Sequence, residues 1–146
     1  MSVVAIGLNH RTGPLDLLER MAIDQSRLPK ALHDLTARPN VSEAVVLSTC
    51  NRTEIYVVAE RFHGAYHDIR QFLAETSFLP PEEFADHLYV HHDEESVRHI
   101  FEVSAGLDSA VLGEVEILGQ VRRAWELARE EGTSGASMNL LFRHAL

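Results

Sequence analysis

The chain has 146 residues, 45% of them hydrophobic, and a formal charge of −9, which fits one domain with a true core that repels nucleic acid at long range. Any contact with RNA therefore needs a local basic patch, another domain or another subunit. The single cysteine excludes an internal disulfide and a cysteine-cluster metal site, and it suits a reducing cytoplasm.

Ser2–Leu8 reads as a buried strand, carried by the apolar run Val3–Leu8, and Gly13-Pro14 breaks the chain after it. Leu28, Ala31, Leu32 and Leu35 recur at helical spacing, with Asp24 or Ser26 as N-cap, and Pro39-Asn40 ends that helix. Ala44–Ser48 and Ile55–Ala59 form a hairpin. Ile69, Phe72 and Leu73 mark a helix that stops before Pro80-Pro81, and Leu88–His91 is a short strand. Asp93 is an N-cap, followed by Glu94 and Glu95 where the helix dipole favours them. Val97, Ile100, Phe101 and Val103 carry that helix to Gly106, a C′ residue. Ile117, Leu118, Val121, Trp125 and Ala128 give one apolar face of a longer helix. Gly132–Ser137 is a loop, and Met138–Leu146 starts another helix with no visible end.

The fold class is therefore α+β. It is a ferredoxin-like split βαβ sheet (βαββαβ) with helices on one face, then a long helix and the start of a further one. In that topology strands 1 and 2 are parallel, with strand 3 antiparallel between them. The end of strand 1, Asn9-His10-Arg11-Thr12, then converges on the tip of the hairpin, Thr49-Cys50-Asn51-Arg52. The helix after strand 4 runs back to the same edge and delivers Leu107-Asp108-Ser109 there.

Cys50 is the centre of this convergence. A lone thiol at the tip of a tight strand–turn–strand has few packing partners and some access to solvent. The Arg52 guanidinium nearby favours a thiolate. The plain alternative is a partly buried cysteine acting as a small hydrophobe. His87, His91 and His92 do not make a metal site. On a strand His87 and His91 share a face and His92 opposes them, and no acidic or cysteine partner at ligand spacing completes a set.

Three blocks resemble glutamyl-tRNA reductase, the enzyme that opens tetrapyrrole (porphyrin) synthesis from glutamate. They are Gly7–Arg20, GLNHRTGPLDLLER; Val46–Tyr56, VLSTCNRTEIY; and Phe101–Val121, FEVSAGLDSAVLGEVEILGQV. The resemblance implies that Cys50 attacks the ester of glutamyl-tRNA and carries a glutamyl thioester, which NADPH reduces to glutamate-1-semialdehyde. It implies a role for His99 in tuning the thiol or protonating the leaving hydroxyl, against the ordinary reading of a structural helix histidine. Thr49, Asn51, Arg52, Ser109, Glu114, Glu116 and Gln120 match substrate-binding positions. Arg52 suits a glutamate carboxylate because its fork pairs carboxylates bidentately. An acidic residue on the Glu116/Gln120 face could hold the substrate ammonium. The plain alternatives are a turn residue at Arg52, an N-cap at Ser109, a first-turn acid at Glu114 and a solvated face at Glu116 and Gln120.

The resemblance covers residues 1–146 as an N-terminal catalytic domain. It implies that NADPH-binding and dimerisation domains are absent from this chain, which has no G-x-G-x-x-G. The last helix would begin the spine that joins them. It implies glutamyl-tRNA as substrate, a homodimer in the full-length enzyme, a possible complex with glutamate-1-semialdehyde aminotransferase, no metal and a cytoplasmic location. No apolar stretch reaches the roughly 20 residues of a membrane span, and the start MSVVAIGLNH is not a signal peptide.

Two positions depart from the family pattern. Glu116 stands where glutamine is usual, and Leu18 precedes Glu19 where arginine is usual. Both bear on substrate positioning and neither removes the nucleophile. Two other functions fit the same residues: a non-catalytic domain that binds tRNA or a partner, and a general cysteine hydrolase of simple esters.

Overall fold

The β-branched and apolar runs form four strands. A computed structural model describes residues 2–110 and 115–146. It begins with β1 (Ser2–Asn9), α1 (Leu15–Met21), α2 (Leu28–Thr36), β2 (Val41–Ser48), β3 (Arg52–Ala59) and α3 (Phe62–Ser77). Two short 3-10 turns, Pro81–Glu83 and Ala85–His87, lead into β4 (Tyr89–His92). Then come α4 (Glu94–Ser104), α5 (Glu116–Glu130) and α6 (Ala136–Ala145). The sheet order is β2-β3-β1-β4 with every neighbouring pair antiparallel. β1 and β2 are thus parallel with β3 between them, as the βαββαβ pattern requires.

Every residue of β3 is buried, which a central strand needs when both faces are covered. Alternate residues point to opposite faces. Tyr56 meets Phe142 of α6 edge-on, and Glu54 meets His99 of α4. α4 and α6 therefore cover that face. α1, α2 and α3 touch one another and the strands on the other face, where His92 packs against Phe62 of α3. The helices inside the βαββαβ unit thus share one face, and the later helices close the second. Beyond α5 the chain returns to the edge strand, with Ala44 N–H donating to the Thr133 carbonyl at 2.8 Å.

Local differences from the sequence reading have physical causes. α1 goes unpredicted because Gly13-Pro14 reads as a plain break, yet Pro14 immediately precedes the helix and Leu17, Leu18 and Met21 bury one face. Leu18 is thus a core residue, which accounts for an apolar side chain there. β4 starts one residue later than expected. His87 sits in a 3-10 turn with Nδ1 2.7 Å from the Thr12 carbonyl, so it shares no strand face with His91. Neither Asp24 nor Ser26 is the N-cap of α2. Arg27 holds that position, and the Asp24 carboxylate accepts from the Ser26 hydroxyl and the Arg27 N–H instead. Asp93 precedes α4 at φ +50° but turns its carboxylate to the Val3 N–H at 3.1 Å, so it braces the sheet. Phe101 is 39% exposed, and the buried stripe of α4 is Ser96, His99, Ile100 and Val103. Ser109 does not cap α5, which begins at Glu116 after Val115.

Gly106 does end α4. At φ +77° its N–H bonds the Val103 carbonyl while the Leu107 N–H bonds Glu102, a Schellman pair that redirects the chain toward the sheet edge.

Gly7 lies opposite Glu54 in the β1–β3 register. A Cβ there would sit 2.5 Å from the Thr53 carbonyl oxygen and 2.9 Å from the Glu54 Cγ. Backbone cannot yield as a flexible side chain does. Gly7→Ala is therefore expected to lower unfolding free energy by about 2–3 kcal/mol, the upper range for overpacking. A urea midpoint equal to that of the parent would refute the steric reading.

Candidate active site

Cys50 sits where β2 turns into β3. Thr49 N–H donates to the Arg52 carbonyl at 2.7 Å, and the Thr49 hydroxyl accepts the Asn51 N–H at 3.1 Å. These bonds tighten the turn and leave Cys50 exposed. β1 reaches the same edge: Asn9 pairs with Arg52, and His10 N–H donates to the Asn51 carbonyl at 3.0 Å. Asn9 is buried and its side-chain oxygen takes the Arg11 N–H, which curls the loop back over the turn.

The third segment arrives through Asp108. Its carboxylate takes Arg11 Nη1 at 2.6 Å and Arg52 Nη1 at 3.0 Å, and its carbonyl takes Arg52 Nη2 at 2.5 Å. The convergence expected from topology is therefore present. Thr49, Cys50, Asn51, Arg52, Ser109, Glu116 and Gln120 line one small cleft together with Ala110 and Ile117. Glu116 and Gln120 share a helix face there, as their spacing requires. Glu114 lies outside the described residues.

His99 stands one step away from this cleft. It is buried, and its Nε2 is 2.5 Å from Glu54 Oε2. Its ring stacks on His91, with centroids 4.5 Å apart. Glu54 is a residue that the sequence reading does not single out. It is fully buried and receives Arg52 Nη1, the Tyr56 hydroxyl, the Tyr89 hydroxyl and His99. Asp108 is the second such residue. The sequence signal for Glu54 is charge inside apolar patterning: Arg52 and Glu54 alternate on one face of a strand that is otherwise apolar or aromatic except for Thr53.

The charges alternate along Arg11, Asp108, Arg52 and Glu54, and the His99 ring closes the row against Glu54. Burial by itself would push the Glu54 carboxyl up. The hydrogen bond and charge of His99, then the charge of Arg52, override it and hold Glu54 at about 2. Burial opposes the charge of Arg52 too, and the Glu54 and Asp108 carboxylates more than restore it. Burial and then the charges of Arg11 and Arg52 lower His10, while burial and then His99 lower His91.

These shifts predict acid sensitivity. Glu54 stabilises the fold fully above its ordinary 4.5 and loses that contribution as pH falls through about 2. His10 and His91 are depressed below 6.5, so the unfolded chain takes up their protons first and stability also falls below that pH. All three act in one direction. Urea midpoints are expected to decline steadily on acidification, with Glu54→Gln flattening the most acidic part of the curve. A midpoint flat down to about 3 would contradict the assignment.

Comparison with known proteins matches the geometry. Residues 6–146 match the family described as glutamyl-tRNAGlu reductase, N-terminal domain. The chain is 50% identical over its whole length to a glutamyl-tRNA reductase of Frankia alni and 45% identical to one of Paenibacillus macerans, covering 31% and 33% of those proteins. It thus spans about a third of the curated relatives it matches. Its fold superimposes on the glutamyl-tRNA reductase of Methanopyrus kandleri with a TM-score of 0.77 at 30% identity, over 98% of this chain and 32% of that one. The chain belongs to the glutamyl-tRNA reductase family, as its N-terminal domain.

Proposed function

We propose that this chain is the catalytic domain of an NADPH-dependent glutamyl-tRNA reductase, and that its own chemistry is acyl transfer to Cys50. One observation carries the reading: an exposed thiol at a rigid hairpin tip, facing polar residues delivered by α5 and the loop before it. The Cys50 thiolate attacks the glutamyl ester carbonyl. The ester C–O bond breaks, the ribose oxygen leaves and takes a proton, and a thioester remains. Sulfur suits this because its thiolate is nucleophilic near neutral pH.

Arg52 is assigned to the glutamate carboxylate. Three of its hydrogen bonds go to Glu54 and Asp108, and the residue lines the cleft. Glu116 is placed to hold the ammonium, with Thr49, Asn51, Ser109 and Gln120 as polar contacts and Glu114 as a further candidate. His99 acts on this centre through Glu54, since its Nε2 is engaged there.

NADPH would supply hydride to the thioester. The described residues do not fit that cofactor. Their sheet is antiparallel throughout, whereas a dinucleotide site needs parallel strands and a glycine-rich turn. The cofactor is therefore assigned to a separate domain, and dimerisation to another, with glutamate-1-semialdehyde aminotransferase as a partner of the whole enzyme. No described helix is long and apolar enough to cross a membrane, and a cytoplasmic setting suits the free thiol.

On this reading the chain alone converts glutamyl-tRNA to free glutamate slowly, because water attacks the thioester. Release of glutamate without NADPH, in preference to release of glutamine from glutaminyl-tRNA, is the expected result. Semialdehyde formed by this chain with NADPH and no other protein would overturn the division of labour.

A further inference from the structure

Glu54 is 0% exposed and is not among the residues that line the Cys50 cleft, so it touches no substrate there. Its carboxylate nevertheless gathers donors from β3, β4 and α4: Tyr56 at 2.7 Å on Oε1, with Arg52, Tyr89 and His99 on Oε2. A buried ion network is a costly way to hold a fold together, because packed apolar side chains of similar volume often do so as well or better. The backbone also makes room for it, since only glycine fits at position 7 opposite Glu54. The network ends at Arg52, which lines the Cys50 cleft.

The orientation of that guanidinium is set from both sides. Nη1 is held between Glu54 and Asp108, and Nη2 is held by the Asp108 carbonyl. Asp108 belongs to the loop before α5, while Glu54 belongs to the central strand and is braced by His99 and two tyrosines. His99 in turn is clamped by its stack on His91. Glu54 is thus the fixed end of the pair, and Asp108 the end attached to the cleft wall.

We propose that Glu54 is a positioning residue of this site, whose buried carboxylate fixes the Arg52 guanidinium in the orientation in which Arg52 reads the carboxylate of the acyl group offered to Cys50. The inference rests on the acyl-transfer reading above and adds the origin of its selectivity. Arg52 supplies the charge, and Glu54 supplies its direction. A neutral amide at position 54 keeps the shape but loses the charge that pairs with the guanidinium; with its oxygen toward Arg52, Tyr89 and His99 its NH2 faces the Tyr56 hydroxyl, so the hold on Arg52 weakens without a gap in the packing.

The test compares thioester formation on this chain with glutamyl-tRNA and with glutaminyl-tRNA, in the parent, Glu54→Gln and Tyr89→Phe. Both amino acids are charged on the same tRNA, so the two esters differ only at the group Arg52 is to read. Folding is followed by circular dichroism. The parent is expected to prefer the glutamyl ester. Glu54→Gln is expected to cut that preference about tenfold, the scale of a misplaced charge-assisted hydrogen bond. The half-saturating concentration should change more than the limiting rate. Tyr89→Phe, which removes one donor, should shift the preference the same way by a smaller factor. A general loss of packing would slow both esters by the same factor and leave the preference intact, and that result overturns the proposal. If Glu54→Gln does not fold, Tyr89→Phe decides: a reduced preference supports the proposal and an unchanged one overturns it. A parent that acylates with both esters equally removes the role of Arg52 and the proposal with it. A parent that acylates with neither overturns the acyl-transfer reading itself, a separate and recognisable result.

Discussion

Cys50→Ser is expected to abolish glutamate release from glutamyl-tRNA, by about a thousandfold or more, without shifting the urea midpoint. The size follows from nucleophilic catalysis. A serine hydroxyl is scarcely ionised near neutral pH and needs a general base within hydrogen-bond reach. His99 cannot readily serve as that base, because its Nε2 already faces Glu54 at 2.5 Å. Unchanged stability follows from exposure: the thiol stands at the hairpin tip, outside the core. The turn is held by Thr49 and Arg52 backbone groups rather than by the cysteine. Retained release in the serine variant would show that the cleft is a general hydrolytic surface or that the activity has another source.

Arg52→Ala is expected to destabilise the fold by about 3–5 kcal/mol, the cost of stripping one partner from a buried pair. Arg52 is 1% exposed and is the shared partner of Glu54 and Asp108. Its removal leaves a fully buried carboxylate with hydroxyls and an imidazole but no guanidinium. It also cuts two of the bonds that tie the loop before α5 to the sheet, leaving the longer one from Asn9 Nδ2 to Asp108 at 3.4 Å. Lysine should not rescue it, because an ammonium lacks the planar fork that reaches Glu54, the Asp108 carboxylate and the Asp108 carbonyl together. Against a typical domain stability of about 5–15 kcal/mol, this is a large fraction. Chemical denaturation of Arg52→Ala and Arg52→Lys measures it directly. A loss under about 1 kcal/mol for either would mean that the network is far less coupled than its distances indicate.

Much of this architecture was legible in the sequence, for local reasons. Val3–Leu8 and Ile55–Ala59 are too short and too β-branched to be helices. Once two strands flank a tight turn, the split βαβ topology dictates which loops meet. That is why Asn9, Cys50 and Ser109 could be placed at one edge before any coordinates. The caps were less legible. Asp93 has the right residue type at the right place, yet its carboxylate is drawn to Val3, 90 residues away. Glu43 similarly caps α6 from another strand by taking the Gly135 and Met138 N–H groups. The role of Glu54 was hidden for the same reason. Its donors Tyr89 and His99 lie 35 and 45 residues along the chain, on elements whose register no local pattern sets. Arg52 illustrates the consequence. From its neighbours it reads as a cation that favours the thiolate, or as a turn residue. In the fold much of it is committed to Glu54 and Asp108, so the selectivity proposed for it would belong to the network rather than to one side chain.

The central claim is that Cys50 accepts the glutamyl group, and intact-protein mass measurement tests it most directly. The chain would be mixed briefly with glutamyl-tRNA, quenched in acid and weighed, with Cys50→Ser alongside. The account predicts a glutamyl adduct on the parent that hydroxylamine removes and that the serine variant lacks as a thioester. An unmodified parent that also releases no free glutamate would contradict it, and tight tRNA binding unaffected by Cys50→Ala would then identify a binding domain in place of an acyl-transfer catalyst.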